Sequence, residues 1–334
     1  MKKKKPPRCD VALLVDEETG EYRPSGRFVP ESDDVEEKVL RALRKRYRRV
    51  EVVPFSPKVV DTIERLRKLK PRIVFNLTEW VDGDRKLDAA IGGLLEMLKL
   101  RYTGTGPDGM QITRDKALSK QIVAELGIAV PRCFVVNGGR LAGVNDLDFP
   151  LIVKPQFGDG SDEIGRHSLV RNVRQLRARV RAIRRNRKAP ALCEEFVSGN
   201  DLYVGLLGNE PRVLSPVELV IGSRHRSAPQ FATYRLKNDP RYRAKWRIHY
   251  RRARLDGKTM RTVIETSRRI FHALQLRDYA RLDFRLTGDN RLYFIEANPN
   301  PDLDPHALNR SGCFSGIKYR ALIARIVESA RKRR

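Results

Sequence analysis

Arg281, Asp283 and Arg285 alternate along one short apolar segment, and Glu296 and Asn298 lie two apart on the next. Alternation along a β-strand puts residues i, i+2 and i+4 on one face. The two segments, joined by a turn over Thr287, Gly288, Asp289 and Asn290, are expected to pair as a hairpin. Asp283, Glu296 and Asn298 can then converge. Two carboxylates and an amide oxygen form a hard-oxygen set suited to Mg²⁺, with Mn²⁺ as the alternative. An arginine beside such a set can hold a phosphate or a developing oxyanion. The same pattern also describes a polar hairpin face with its acids in water.

Two further segments place polar groups beside turns. In 149–161 a strand delivers Lys154 to a glycine-rich stretch containing Gly158 and Gly160. Glycines let backbone amides approach a phosphate, and a lysine adds a point charge; a surface lysine before a plain turn is the alternative. In 192–202 a strand, a turn and a second strand follow one another. Backbone groups of Glu195 and Val197 can read an adenine edge there, and Asp201 can hold ribose hydroxyls, or the turn is only acidic and exposed. Gly104, Gly106 and Gly109 satisfy the spacing G-x-G-x-x-G, but no strong strand precedes them and Pro107 removes an amide donor. A dinucleotide site is rejected.

These segments need elements to hold them. The first third alternates strands (11–15, 50–53, 72–75) with helices (35–47, capped by Ser32, then 59–69 and 87–98), the signature of a parallel sheet covered on both faces. The chain breaks at 103–107. A helix follows at 115–126, then strands at 133–136, 151–154, 191–196 and 202–207, with an arginine-rich helix between the second and third. A strand at 212–219, a long polar loop, a helix at 258–274, the hairpin and a helix at 317–327 complete the expected order.

Length and composition fit a packed protein of two or three units: 334 residues, 40% of them hydrophobic. No stretch approaches the roughly 20 apolar residues of a membrane span. The apolar run 11–15 after Lys2–Lys5 is too short for a signal-peptide core, so none is expected. Four widely spaced cysteines predict neither a disulfide framework nor a Cys–metal site, and a reducing cytoplasm is the expected location. The net charge of +27 favours polyanions. In 173–183 the arginines face away from an apolar stripe and read as a solvated helix face. The stretch 241–252 interleaves bases with Tyr242, Trp246 and Tyr250 and is the better nucleic-acid candidate.

Taken in order, the segments from Arg72 to Leu308 resemble the ATP-grasp superfamily, most closely its D-alanine–D-alanine ligase branch. Residues 115–120 resemble that family's DKxxxK helix, which implicates Lys116 at the ATP phosphates. Residues 149–161 resemble its strand and mobile loop, implicating Lys154 and the backbone of Gly158, Gly160 and Ser161. Residues 193–201 are similar to its adenosine segment, implicating Glu194, Glu195, Val197 and Asp201. Residues 281–283 and 296–298 are similar to its metal segments: Asp283, Glu296 and Asn298 would bind Mg²⁺, and Arg281 would steady a tetrahedral intermediate. Residues 231–237 resemble a closing loop, with Lys237 at the γ-phosphate. The resemblance implies an α/β and α+β architecture: an N-terminal Rossmann-like parallel-sheet (pre-ATP-grasp) domain over 1–111, and two α+β subdomains, 112–207 and 208–334, clasping ATP.

Departures from the family pattern are local. Asp162 and Glu163 follow Ser161 where uncharged residues are usual. No N-terminal glutamate is assignable to substrate; Glu17, Glu18 and Glu21 all remain open. Ala307 stands where those ligases present a serine, and His306 reads as structural. The implied activity is an ATP-dependent carboxylate–amine ligase acting on amino acids or peptides, with a homodimer as the family's usual assembly. The alternative is a basic nucleic-acid-binding protein that keeps the fold without the activity.

Overall fold

The computed structural model describes residues 9–333, except 82–83, 138–140, 142–145, 159–163, 224, 226–228, 230 and 305–306, and except the side chains of Lys237 and Asn238. Gly160, Ser161, Asp162, Glu163, His306 and the Lys237 side chain therefore lie outside the described residues.

Three parallel strands, β1 (Val11–Asp16), β4 (Val50–Phe55) and β5 (Ile73–Asn76), form the first sheet in the order β4-β1-β5. β1 is buried along its whole length, as a central parallel strand must be. A small hairpin, β2 (Gly20–Tyr22) and β3 (Phe28–Pro30), follows β1. Helices α2 (Val59–Leu69) and α3 (Asp88–Met97) contribute Leu66, Ile91 and Leu95 to one face of the sheet. Helix α1 (Val35–Arg44) covers the other face. Its N-cap position is Asp34 in place of the expected Ser32, and it stops at Arg44, short of Tyr47.

The expected break at 103–107 opens a helix. Pro107 is the first residue of α4 (Pro107–Arg114), where a missing N–H leaves no helical bond unmade. Helix α5 (Lys116–Glu125) follows at once, capped by the Asp115 carboxylate accepting from Ala117 and Leu118 N–H at 3.0 and 3.1 Å. The glycines before α4 serve packing, which agrees with the rejected dinucleotide reading. Gly104 has φ +97°, and a Cβ there would lie 2.4 Å from Asn300 Oδ1.

The second sheet has the order β6-β9-β7-β8: β6 (Cys133–Val136), β7 (Leu151–Pro155), β8 (Leu169–Val170) and β9 (Ala191–Glu195). Helix α6 (Val173–Arg187) packs Leu176, Val180 and Ile183 against it. Its arginines do not all face solvent: Arg179 is buried and donates to the Val153 carbonyl at 3.3 Å.

The third sheet is antiparallel. Its strands are β10 (Asn200–Leu207), β11 (Arg212–Val213), β12 (Val217–Ile221), β13 (Ile248–Arg252), β14 (Tyr279–Leu286) and β15 (Leu292–Asn298), ordered β13-β12-β10-β14-β15 with β11 beside β10. The single strand expected at 212–219 is two, split at Leu214–Pro216, where the Leu214 and Ser215 N–H groups turn to Gly205 O and Ser315 Oγ. The long polar loop is partly structured: α7 (Tyr234–Asn238), α8 (Pro240–Lys245) and edge strand β13 lie in it. Helix α9 (Gly257–Ala273) and α5 cover one face of this sheet, meeting Ala280, Leu282, Phe284 and Phe294. The alternate residues of β14 face the other way.

Helices α10 (Ala307–Phe314) and α11 (Tyr319–Lys332) close the chain. The second starts two residues later and runs five residues further than the sequence suggests. Its Leu322, Ile323, Ile326 and Val327 share a core with Val11, Leu13, Val39 and Leu43. The first sheet is thus finished by residues from the far end of the sequence.

Candidate functional site

A cleft runs between the second and third sheets, lined by Lys154, Glu194 and Glu195 on one side and by Asp201, Asp283, Arg285 and Glu296 on the other. Phe231 and Ala232, just before α7, lie across it.

The hairpin sets the third-sheet side. Asp283 is directly across from Glu296 and Arg281 from Asn298, with a bulge between Asp283 and Phe284. Such pairs have Cβ atoms about 4.5–5.5 Å apart, and Asn298 is the diagonal neighbour of Asp283. Arg281 donates to both Asp283 oxygens, Nε at 2.7 Å and Nη2 at 3.1 Å. Burial works against the Arg281 charge, but Asp283 outweighs it and raises the guanidinium pKa. Asn298 Nδ2 is buried without a hydrogen bond among the described residues. Because an amide's O and N exchange by a half-turn, that position can equally offer an acceptor. The donors are all hard oxygens, so the set fits a divalent cation of the Mg²⁺ type.

Opposite lies a buried charge triad. Glu194 Oε1 is 2.6 Å from Lys154 Nζ, and Glu194 Oε2 is 3.3 Å from Lys120 Nζ. All three side chains are at least 95% buried. Burial pushes the Glu194 carboxyl up, yet the two lysines prevail and hold it below the usual range. Lys154 is raised, since Glu194 and Glu296 outweigh its burial, whereas burial prevails at Lys120 and lowers it. Lys120 is fixed by donating to the Ile295 carbonyl at 2.5 Å. Two cations against one carboxylate suit an anionic ligand. Lys116 reaches the Gly158 carbonyl, at φ +117°, and Gln156 Nε2 bonds the Asp115 cap at 2.9 Å, so the start of α5 is tied to the loop after β7.

The adenosine candidates are partly engaged. The Glu195 N–H donates to Arg132 O at 3.0 Å, which leaves the carbonyl side of that residue for a ligand. The Glu195 carboxylate accepts from Arg132 Nε at 3.0 Å. The Val197 carbonyl accepts from Arg285 Nε at 3.1 Å, which leaves its N–H. Asp201 pairs with Arg285 at 3.0 Å. The Glu194 side chain belongs to the lysine triad and not to the turn.

Sequence reasoning missed Lys120 and Arg285 as functional side chains. Both signals were present: Lys120 lies one helical turn from Lys116, and Arg285 shares the face of Asp283. Of the three open glutamates, Glu18 lines a second cavity, while Glu21 pairs with Arg23 at 2.8 Å. Ala307 is buried in a core cluster with Tyr203 and Trp246. The nucleic-acid reading gains no support. Trp246 is buried, and Tyr242 and Tyr250 pack against the same cluster, so these rings are core and not a stacking platform. No helix among the described residues is long and apolar enough to cross a membrane.

A family model described as the D-ala D-ala ligase C-terminus matches residues 136–328. An uncharacterized protein, y4sG, of Sinorhizobium fredii is 31% identical over 291 residues, covering 82% of this chain and 81% of that one. D-alanine–D-alanine ligases of Gluconobacter oxydans and Aquifex aeolicus are 28% and 30% identical, covering 88% and 79% of this chain and 92% and 84% of their own. The crystal structure of a D-alanine–D-alanine ligase from Bacillus anthracis complexed with ATP shares the fold, with a TM-score of 0.72 at 19% identity over 96% of this chain and 97% of that one.

Proposed function

We infer the reaction from one premise: this chain belongs to the D-alanine–D-alanine ligase family and is an ATP-grasp ligase that forms a C–N bond. The reaction we propose joins two amino-acid or peptide substrates at the expense of ATP. A carboxylate oxygen of the first substrate attacks the γ-phosphorus, the β–γ P–O bond breaks, and ADP leaves. The amine nitrogen of the second attacks the acyl carbon of the resulting acyl phosphate. The C–O bond to phosphate then breaks, the nitrogen gives up a proton, and an amide remains.

Positioning and charge neutralisation carry such a reaction. Lys154 and Lys116 are assigned to the phosphates, with Lys120 supplying the extra positive charge behind Lys154 and Glu194 keeping both buried lysines in register. Gly158, Gly160 and Ser161 supply backbone to the same phosphates. The Glu195 carbonyl and the Val197 N–H form an acceptor and donor pair for an adenine edge, and Asp201, braced by Arg285, takes the ribose. Asp283, Glu296 and Asn298 would hold the divalent cation, which when bound offsets the charge that repels an incoming carboxylate. Arg281 is assigned to the oxyanion that develops at the acyl carbon, and Lys237 to the γ-phosphate. Along the chain we propose three units, 1–111, 112–207 and 208–334, with β10 joining the second to the sheet of the third. Small amino-acid substrates, a homodimer and a cytoplasmic location accompany this reading.

The observation that carries it is the Asp283–Glu296 pairing across the hairpin, facing the lysine triad. An amino-acid-dependent assay of ADP release with Mg-ATP tests it. Glu296→Gln should abolish release, with an unchanged circular dichroism spectrum. Turnover at the unsubstituted rate would remove the metal assignment.

A further inference from the structure

A cavity of about 730 Å³ lies between the C-terminal ends of β1 and β5, the start of α1 and the segment 300–304. That volume is in the range of about 300–1,000 Å³ usual for small-molecule sites. Its walls are acidic. Asp304 is paired with Lys38 at 2.7 Å, and Glu79 with Arg85 at 2.5 Å. Asp16, Glu18, Asp34, Glu36 and Asp302 also line it, and among the described residues none of these five has a lysine or arginine at ion-pair distance. This occurs in a chain with 68 Lys and Arg against 41 Asp and Glu.

Glu36 is the sharpest case. It is 92% buried, lines the cavity, and among the described residues has no side chain as an ion-pair or hydrogen-bond partner. Burial raises its pKa, and Asp34, Asp16 and Asp302 add to the rise. Asp16 is also buried and is held facing the cavity by the Glu79 N–H at 3.0 Å. Buried like charges of this kind are unfavourable until a counter-charge arrives. The carboxylates line a chamber with room for an elongated cation carrying more than one donor.

The chamber adjoins the reaction site. Tyr279 and Asn300 line it, and each lies two residues from the Arg281–Asn298 pair of the hairpin. Two strand residues span about 7 Å. A single amino acid can therefore place its carboxylate at Arg281 and its far end among the acids.

We propose that this cavity holds the cationic side chain of an amino-acid substrate bearing a second positive charge, an alkylammonium or guanidinium group. The proposal names a substrate class for the ligase reading above and rests on it. Calorimetry with the full chain and Mg-ADP tests it, using the D and L forms of lysine and arginine, with alanine and glutamate as controls. Lysine or arginine should bind at least about tenfold more tightly than alanine, and glutamate should bind least. Glu36→Gln and Asp302→Asn should each weaken the cationic ligand by about 10- to 100-fold and leave alanine unchanged. Glu36→Gln should also raise the Tm of the ligand-free protein, which a purely structural role for that carboxylate would not do. Alanine binding as tightly as lysine and arginine, or cationic binding indifferent to both substitutions, overturns the proposal. ADP release separates it from the reading beneath. Release with neutral pairs alone sinks the cationic substrate and keeps the ligase. Cationic binding without release from any pair sinks the ligase and keeps the cavity.

Discussion

Glu194 is a single carboxylate between two buried lysines, and its removal is more damaging than its exposure suggests. Glu194→Gln keeps the shape but removes the carboxylate paired with both Lys120 and Lys154. We expect a loss of about 3–5 kcal/mol, the usual cost of breaking a buried pair, read as a lower urea midpoint. Asp16 acts in the opposite sense. Burial lifts its carboxyl to about 6 from 3.8, against the pull of the Glu79 and Trp80 amides and the Arg85 charge. Between these values the native state holds the proton more tightly than the unfolded chain, so its contribution to stability is present at pH 4 and lost as pH rises through 6. Asp16→Asn should therefore gain on the unsubstituted protein as pH rises from 4 to 6, in urea titrations across that window, and the gain should level off above it.

At the scale of elements, the hairpin was readable because Arg281, Asp283 and Arg285, and then Glu296 and Asn298, keep a spacing of two, whereas the bulge between Asp283 and Phe284 left no such mark. The lysine triad was not, because it joins α5, β7 and β9, and spacing along the sequence carries no information about which strands become neighbours. The acidic chamber was hidden in the same way: Asp16, the pair Asp34 and Glu36, and Asp302 come from three separate segments of a strongly basic chain. The stretch 241–252 was obscured by its own charge. Arg241, Arg243, Lys245 and Arg247 mask a buried tryptophan between two short elements, each too brief to show a period. Because Trp246 is core, Trp246→Ala should destabilise by about 3–5 kcal/mol in chemical denaturation. The affinity for single-stranded RNA should not change, where loss of a stacked ring would cost about 1–3 kcal/mol. A stacking residue would show the reverse.

At the scale of the whole molecule, the joint between the N-terminal sheet and the rest is polar as well as apolar. Asp278 is fully buried and accepts from Gly104 N–H at 2.9 Å, Asn209 Nδ2 at 3.0 Å and Arg333 Nη1 at 2.8 Å. Arg333 also donates to Tyr102 O at 2.8 Å. Arg333→Ala should lower stability by about 1.5–3 kcal/mol, the worth of hydrogen bonds to a charged group, measured by thermal denaturation. ATP affinity should be little changed, because this joint lies away from the cleft. The alternating strands and helices of the first third announced its sheet, but not that its second cover is α11, whose apolar stripe names no partner. That arrangement sets an order on biosynthesis. While the polypeptide is still emerging from the ribosome, Val11, Leu13, Val39 and Leu43 lack the cover of residues 319–332 until those follow them out, so a sheet made early is fully sealed late.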